Sequence, residues 1–200
     1  MYITCLDLEG VLVPEIWIEF AEAAGIPELK KTTRDEPDYD KLMKYRIDIL
    51  NEHGLGLKEI QNTIEKIDPL PGAKDFLDKL RANGQVIIIS DTFSQFAMPL
   101  MKKLGYPLLI CNELVIGEDG MIEDIAMRID HSKLSAVKGF QLMGYDTIAV
   151  GDSFNDLEML EASNPGILFR STYSIKMDYP HLPSCEEYSD LMAIIKASLA

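Results

Sequence analysis

Residues 147–162 read TIAVGDSFNDLEMLEA. A short apolar run, a glycine, an acidic turn and then apolar residues at helical spacing make one βα unit. Similar apolar runs recur at Tyr2–Leu8, Gln85–Ser90, Pro107–Cys111 and Gly166–Phe169. Such near-continuous runs belong to strands covered on both faces, as parallel strands are. Helical patterns lie between them, over Ala73–Ala82, Phe93–Leu104, Lys133–Met143 and Asp156–Ala162. The alternation predicts an α/β fold built on a doubly wound parallel sheet.

Two segments depart from the alternation. Leu114–Met127 carries Gly-Glu-Asp-Gly at its middle and reads as a hairpin. From Pro14 to Asp68 there is only helical periodicity, over Ile16–Ala24, Tyr39–Glu52 and Leu57–Ile67, and the stiff turn Pro69-Leu70-Pro71-Gly72 closes it. The expected organisation is a core of residues 1–13 and 70–200 with a helical lobe, 14–69, inserted after the first strand. A lobe at that point sits over the carboxyl ends of the strands, where α/β active sites are built. The tail from Tyr173 is expected to end in an amphipathic helix packed on the core.

The 200 residues are 47% hydrophobic and 26% charged, an ordinary globular balance, with a net charge of −14. So acidic a surface repels nucleic acid and anionic membranes, and neither is an expected partner. Cys5, Cys111 and Cys185 are far apart and odd in number, which suggests neither a zinc site nor a disulfide framework. With no signal-like leader and no apolar run of about 20 residues, a cytoplasmic location is expected.

Acidic residues follow two of the predicted strands. Asp7 and Glu9 alternate onto one side at the first strand's tip, and Gly10 permits a sharp exit. Taken alone they could simply cap the next helix. Asp152 and Asp156 stand at a second tip, and a parallel sheet brings such tips to one edge. Together the two clusters supply hard oxygen ligands suited to Mg²⁺. Ser90-Asp91-Thr92, after the second strand, offers hydroxyls and turn amides for a phosphate. Lys133 lies at a helix start, where a cation opposes the helix dipole, so a compensating anion is expected beside it.

In this order, Asp7/Glu9, Ser90, Lys133 and Asp152/Asp156 resemble the four motifs of the haloacid dehalogenase superfamily of phosphohydrolases. The small helical insert resembles that of the phosphoserine phosphatase branch, and a Rossmann-like core is implied. Stretches 7–17, 32–35, 37–40, 90–93 and 166–169 are most similar to members of that branch that also transfer phosphate to homoserine. Two departures stand out: Glu9 replaces the usual second Asp, and Ser90-Asp91-Thr92 replaces Ser-Gly-Gly.

The resemblance implies Asp7 as nucleophile, Glu9 as proton carrier and Lys133 as a catalytic and phosphate-binding cation. Mg²⁺ would be held by Asp7, Glu9 through its carbonyl, and Asp152, with Asp156 orienting that shell. Ser90 would bind phosphoryl oxygens, with Asp91, Thr92 and Asn155 beside the substrate. Glu15 would take the ammonium of a phosphoamino acid, one residue nearer the nucleophile than in the family. Arg46 would take its carboxylate; the alternative is a helix-surface arginine paired with Asp48 or another local acid. Homoserine is the expected second acceptor. Other readings are a different small-substrate phosphatase of the superfamily, such as an enolase-phosphatase, or a non-catalytic phosphate-binding domain.

Overall fold

Seven strands form one sheet in the computed structural model, which describes residues 1–32, 35, 36 and 38–199. They are β1 (Tyr2–Leu6), β2 (Gln85–Phe93), β3 (Leu109–Ile116), β4 (Ile122–Ala126), β5 (Asp146–Gly151), β6 (Gly166–Phe169) and β7 (Ser184–Cys185). Their order is β4-β3-β2-β1-β5-β6-β7, parallel throughout except for β4 against β3. Within the family-like stretches 32–35 and 37–40, Thr33, Arg34 and Pro37 lie outside the described residues.

Alternate residues of the central strands enter two separate cores. On one face, Leu6, Ile88, Ile148, Val150, Ile167 and Phe169 meet α4 (Ala73–Arg81), α5 (Ser94–Lys103) and α9 (Tyr188–Leu199). On the other, Ile3, Cys5, Ile87, Ile89, Ala149 and Leu168 meet α6 (Ser132–Leu142), α7 (Leu157–Glu161) and α8 (Tyr173–Asp178). Period-two side chains buried on both sides make a three-layer sandwich, which explains the near-continuous apolar runs.

The insert contributes α1 (Ile16–Ala24), a 3₁₀ turn at Pro27–Lys30, α2 (Tyr39–Glu52) and α3 (Leu57–Ile64). It joins the first core through Ile16, Phe20, Met43, Leu50 and Ile60. Hydrogen bonds from Leu57 N–H to Gly120 O (2.9 Å) and Gln61 Nε2 to Gln95 O (2.7 Å) tie its far end to the β3–β4 hairpin and α5.

Element ends differ from expectation where tertiary pairing overrides local pattern. β2 continues through Ser90, Asp91 and Thr92 to Phe93, with a register irregularity against β3, so these polar residues are in the strand and not after it. β3 and the hairpin's first arm are one strand, pairing parallel with β2 and then antiparallel with β4. β1 stops at Leu6, although Asp7 N–H still bonds Val150 O at 2.9 Å. A 3₁₀ turn, Phe154–Asp156, precedes α7, α3 ends three residues early, and the tail forms α8, β7 and α9. Among the described residues, no helix is long and apolar enough to cross a membrane.

Candidate active site

The sheet order places β1 between β2 and β5: the chain runs outward from β1 through β2, β3 and β4, then crosses back to β5 on the other side of β1. Ligands of open α/β sheets bind at the carboxyl ends beside such a switch point. Asp7 leaves β1 there, and Asp152 leaves β5. The two tips approach so closely that a Cβ on Gly10 would stand 2.4 Å from Asp152 Cγ, and Gly10 turns away at φ +75°. Carboxylate oxygens of Asp7, Asp152 and Asp156 lie within 4.8 Å of one another. Three hard anionic donors, crowded where a side chain on residue 10 is excluded, fit a small divalent cation.

Lys133 is the cation that meets this cluster. Its Nζ donates to Asp7 Oδ1 at 2.8 Å and Asp156 Oδ1 at 2.5 Å, and stands 3.7 Å from Asp91 Oδ2. Lys133 and Asp7 are both 4% exposed, and Asp156 is fully buried. The anions expected beside this lysine are therefore protein carboxylates. Burial disfavours the ammonium, but Asp156, Asp7 and Asp91 outweigh it and raise its pKa. Asp7 is itself shifted upward by burial and by Asp156, against the pull of Lys133. Asp152 is pushed up to about 7 by burial, Asp156 and Glu15.

Asp156 also organises the turn. Its Oδ2 accepts from Asp152 N–H (3.0 Å), Ser153 N–H (3.1 Å) and Ser153 Oγ (3.2 Å) in a capping box. Gly151 leaves it room, since a Cβ there would lie 2.4 Å from Asp156 Cβ and Cγ.

Glu9 turns toward the insert. Its Oε2 accepts from Ile16 N–H at 2.8 Å, at the start of α1. Burial and Glu15 push the Glu9 carboxyl up to about 8, opposed by that hydrogen bond. Glu15 is exposed at the N-cap of α1 and caps nothing with its side chain.

Ser90 and Thr92 are buried, and Ser90 Oγ accepts from Thr92 N–H at 3.2 Å. Asp91 does something sequence alone did not suggest. Its carboxylate accepts from Ser132 Oγ (2.6 Å) and Asn155 Nδ2 (3.0 Å), so the turn after β5 and the start of α6 meet on one side chain. Burial opposes its charge, yet Lys133, Ser132 and Asn155 outweigh burial and lower its pKa. Behind it, Asn112 donates to Asp91 O (3.1 Å) and accepts from Arg128 N–H (3.1 Å), while Arg128 donates to Ser132 O (3.0 Å). Of these supporting residues, only Asn112 carried a signal: an amide inside an apolar run.

Arg46 faces inward, 6% exposed, and is not the surface partner of Asp48. It donates to Lys31 O at 2.7 Å, lies 3.7 Å from Met43 Sδ, and leaves its Nε–H without a partner among the described residues. Burial lowers its pKa to about 10, opposed by Tyr39, Glu9 and Glu15. A hollow of about 570 Å³ between Gly56 and Gly120 contains none of these side chains.

Comparisons with known proteins bear on this geometry. A phosphoserine phosphatase called ThrH from Pseudomonas aeruginosa is 49% identical over 99% of this chain and 97% of its own length. A phosphoserine phosphatase from Pseudomonas syringae is 48% identical over 98% of this chain and 83% of its length. A substrate-bound phosphoserine phosphatase structure shares the fold, with a TM-score of 0.77 at 22% identity, covering 98% of this chain and 97% of that one. The sequence model of the haloacid dehalogenase-like hydrolases matches residues 5–164. The chain belongs to that family, the haloacid dehalogenase-like hydrolases.

Proposed function

We propose that this hydrolase is an Mg²⁺-dependent phosphatase of O-phosphoserine working through a phosphorylated Asp7. The observation that carries the reading is Asp7 itself. It is a buried carboxylate at the tip of the central strand, held by Lys133 at 2.8 Å and backed by two further carboxylates. A relative 49% identical over 99% of the chain is a phosphoserine phosphatase, which supports the choice of substrate.

Asp7, Asp152 and the Glu9 carbonyl would hold Mg²⁺, with Asp156 orienting them. Bound there, the ion supplies charge neutralisation for the phosphate and lets it approach a carboxylate. Asp7 attacks phosphorus as the serine oxygen leaves, and Glu9 gives that oxygen its proton. A carboxyl raised to about 8 suits a group that must both give and take a proton. Glu9 then draws the proton from water, whose oxygen attacks phosphorus and frees Asp7. If homoserine replaces water, its hydroxyl is deprotonated instead and phosphohomoserine forms. Lys133 and Ser90 bind phosphoryl oxygens throughout, with Asp91, Thr92 and Asn155 beside them.

Residues 14–69 would act as a cap whose Glu15 and Arg46 read the ammonium and carboxylate. The Nε–H of Arg46, without a partner among the described residues, supports that role, since a carboxylate would complete it. Three unpaired cysteines are consistent with a cytoplasmic setting. Phosphorus NMR of the protein with O-phosphoserine and Mg²⁺, with and without homoserine, tests the reading. Inorganic phosphate is expected in both tubes, and a phosphohomoserine signal in the second would add transfer. Absence of turnover in both would overturn the substrate assignment.

A further inference from the structure

Trp17, the single tryptophan of the chain, lies in the first turn of α1 next to the residue whose amide holds Glu9. Its ring lies 4.4 Å from the guanidinium carbon of Arg46. The ring is fixed edge-on by Phe96 (5.3 Å, 70°) and Phe20 (6.4 Å, 88°). Phe96 in turn meets Phe93 edge-on at 6.0 Å, and Phe93 ends β2, the strand that carries Ser90, Asp91 and Thr92. A chain of rings thus runs from that strand to the Arg46 guanidinium.

The guanidinium is anchored on three sides: by the Lys31 carbonyl, by the Met43 sulfur and by the indole. Its Nε–H is left over, buried and without a partner among the described residues. Arginine loses considerable side-chain freedom when it is fixed, and a guanidinium held before ligand arrives has met that cost already. Burial also strengthens the attraction between the cation and the ring face.

We infer that Trp17 is a specificity-determining positioning residue: by stacking on Arg46 it holds that guanidinium ready for the carboxylate of a phosphoamino acid. The inference rests on the proposed role of Arg46. It assigns Trp17 no contact with the phosphoryl group, so its effect belongs to substrates that carry a carboxylate.

The test compares Trp17→Leu, which keeps bulk without a π face, with Trp17→Phe, which keeps a face. Both are assayed on O-phosphoserine and on p-nitrophenyl phosphate, which has no carboxylate, and thermal melting checks folding. For Trp17→Leu, KM for phosphoserine should rise about tenfold while the aryl ester's KM moves less than about twofold. Trp17→Phe should stay within about threefold of the parent on both. Equal changes on both esters, or a Trp17→Leu protein indistinguishable from the parent, would overturn the inference. Arg46→Ala, run alongside, separates the two layers. If it affects both esters equally, the carboxylate-reading role of Arg46 falls and takes this inference with it. If it is selective while Trp17→Leu is not, only the role of Trp17 falls.

Discussion

Asp91 shows how one side chain can organise a site. Ser132, Asn155 and Lys133 come from two different segments, and all three converge on its carboxylate. A carboxylate so engaged holds the groups proposed to bind phosphate at fixed spacing, which matters because small displacements of such groups cost large factors in rate. Removing it should therefore act through its partners. Asp91→Ala is expected to lower kcat/KM about 100-fold, and Ser132→Ala made on that background should add little. A double-mutant cycle on kcat/KM measures this, and fully additive effects would show that the two act separately. The sequence pointed to Asp91, Lys133 and Asn155 and to an anion beside the lysine, but not to their convergence on Asp91 or to Ser132. Asp91 and Ser132 are 41 positions apart and polar residues of their type cap many helices. Asp7, Glu9 and Asp152 were legible because carboxylates at two strand tips have few structural uses.

Among elements, the end of β5 is tightly constrained. Gly151 is the last strand residue, and Asp156 folds back against it to accept three hydrogen bonds. A methyl group at Gly151 would lie 2.4 Å from Asp156 and force that turn outward. Gly151→Ala should cost about 2–3 kcal/mol in denaturant unfolding and weaken Mg²⁺ binding in calorimetry. A variant of unchanged stability and Mg²⁺ affinity would show that the turn is softer than its packing implies. The βα alternation was readable here and along most of the chain, since apolar runs of the right length have few other uses. The end of β2 was not readable. Ser90, Asp91 and Thr92 look like a loop, and β2 runs through them because Ile89 and Phe93 on either side pair with β3 across a register irregularity. β7 is two residues long, too short for any periodicity to register.

For the whole molecule, the crowded carboxylates set a pH dependence. Glu9 and Asp152 sit at about 8 and about 7, against 4.5 and 3.8 for the free side chains. Between those limits the folded protein binds more protons than the unfolded chain, so stability falls as pH rises through the window. Asp91, lowered, acts only at more acid pH. Metal-free protein in EDTA is expected to melt at a higher temperature near about pH 5.5 than near about pH 8.5. Mg²⁺ favours the charged carboxylates, so its stabilisation should grow over the same interval. Calorimetric scans at several pH values check both trends, and a melting temperature indifferent to pH would remove the argument.

The central position of β1 has a consequence for how the protein is made. β1 comprises residues 2–6, yet one of its two neighbours, β5, begins only at Asp146 of 200 residues. As the chain leaves the ribosome, β1 can pair with β2 first but keeps an open edge until β5, far downstream, has been synthesised. An apolar strand waiting in that condition invites pairing with other nascent chains. Asp7 likewise lacks Lys133, Asp152 and Asp156 until those distant segments have been made. The sheet closes and the chemistry is assembled in the same late step, so an arrested chain has neither.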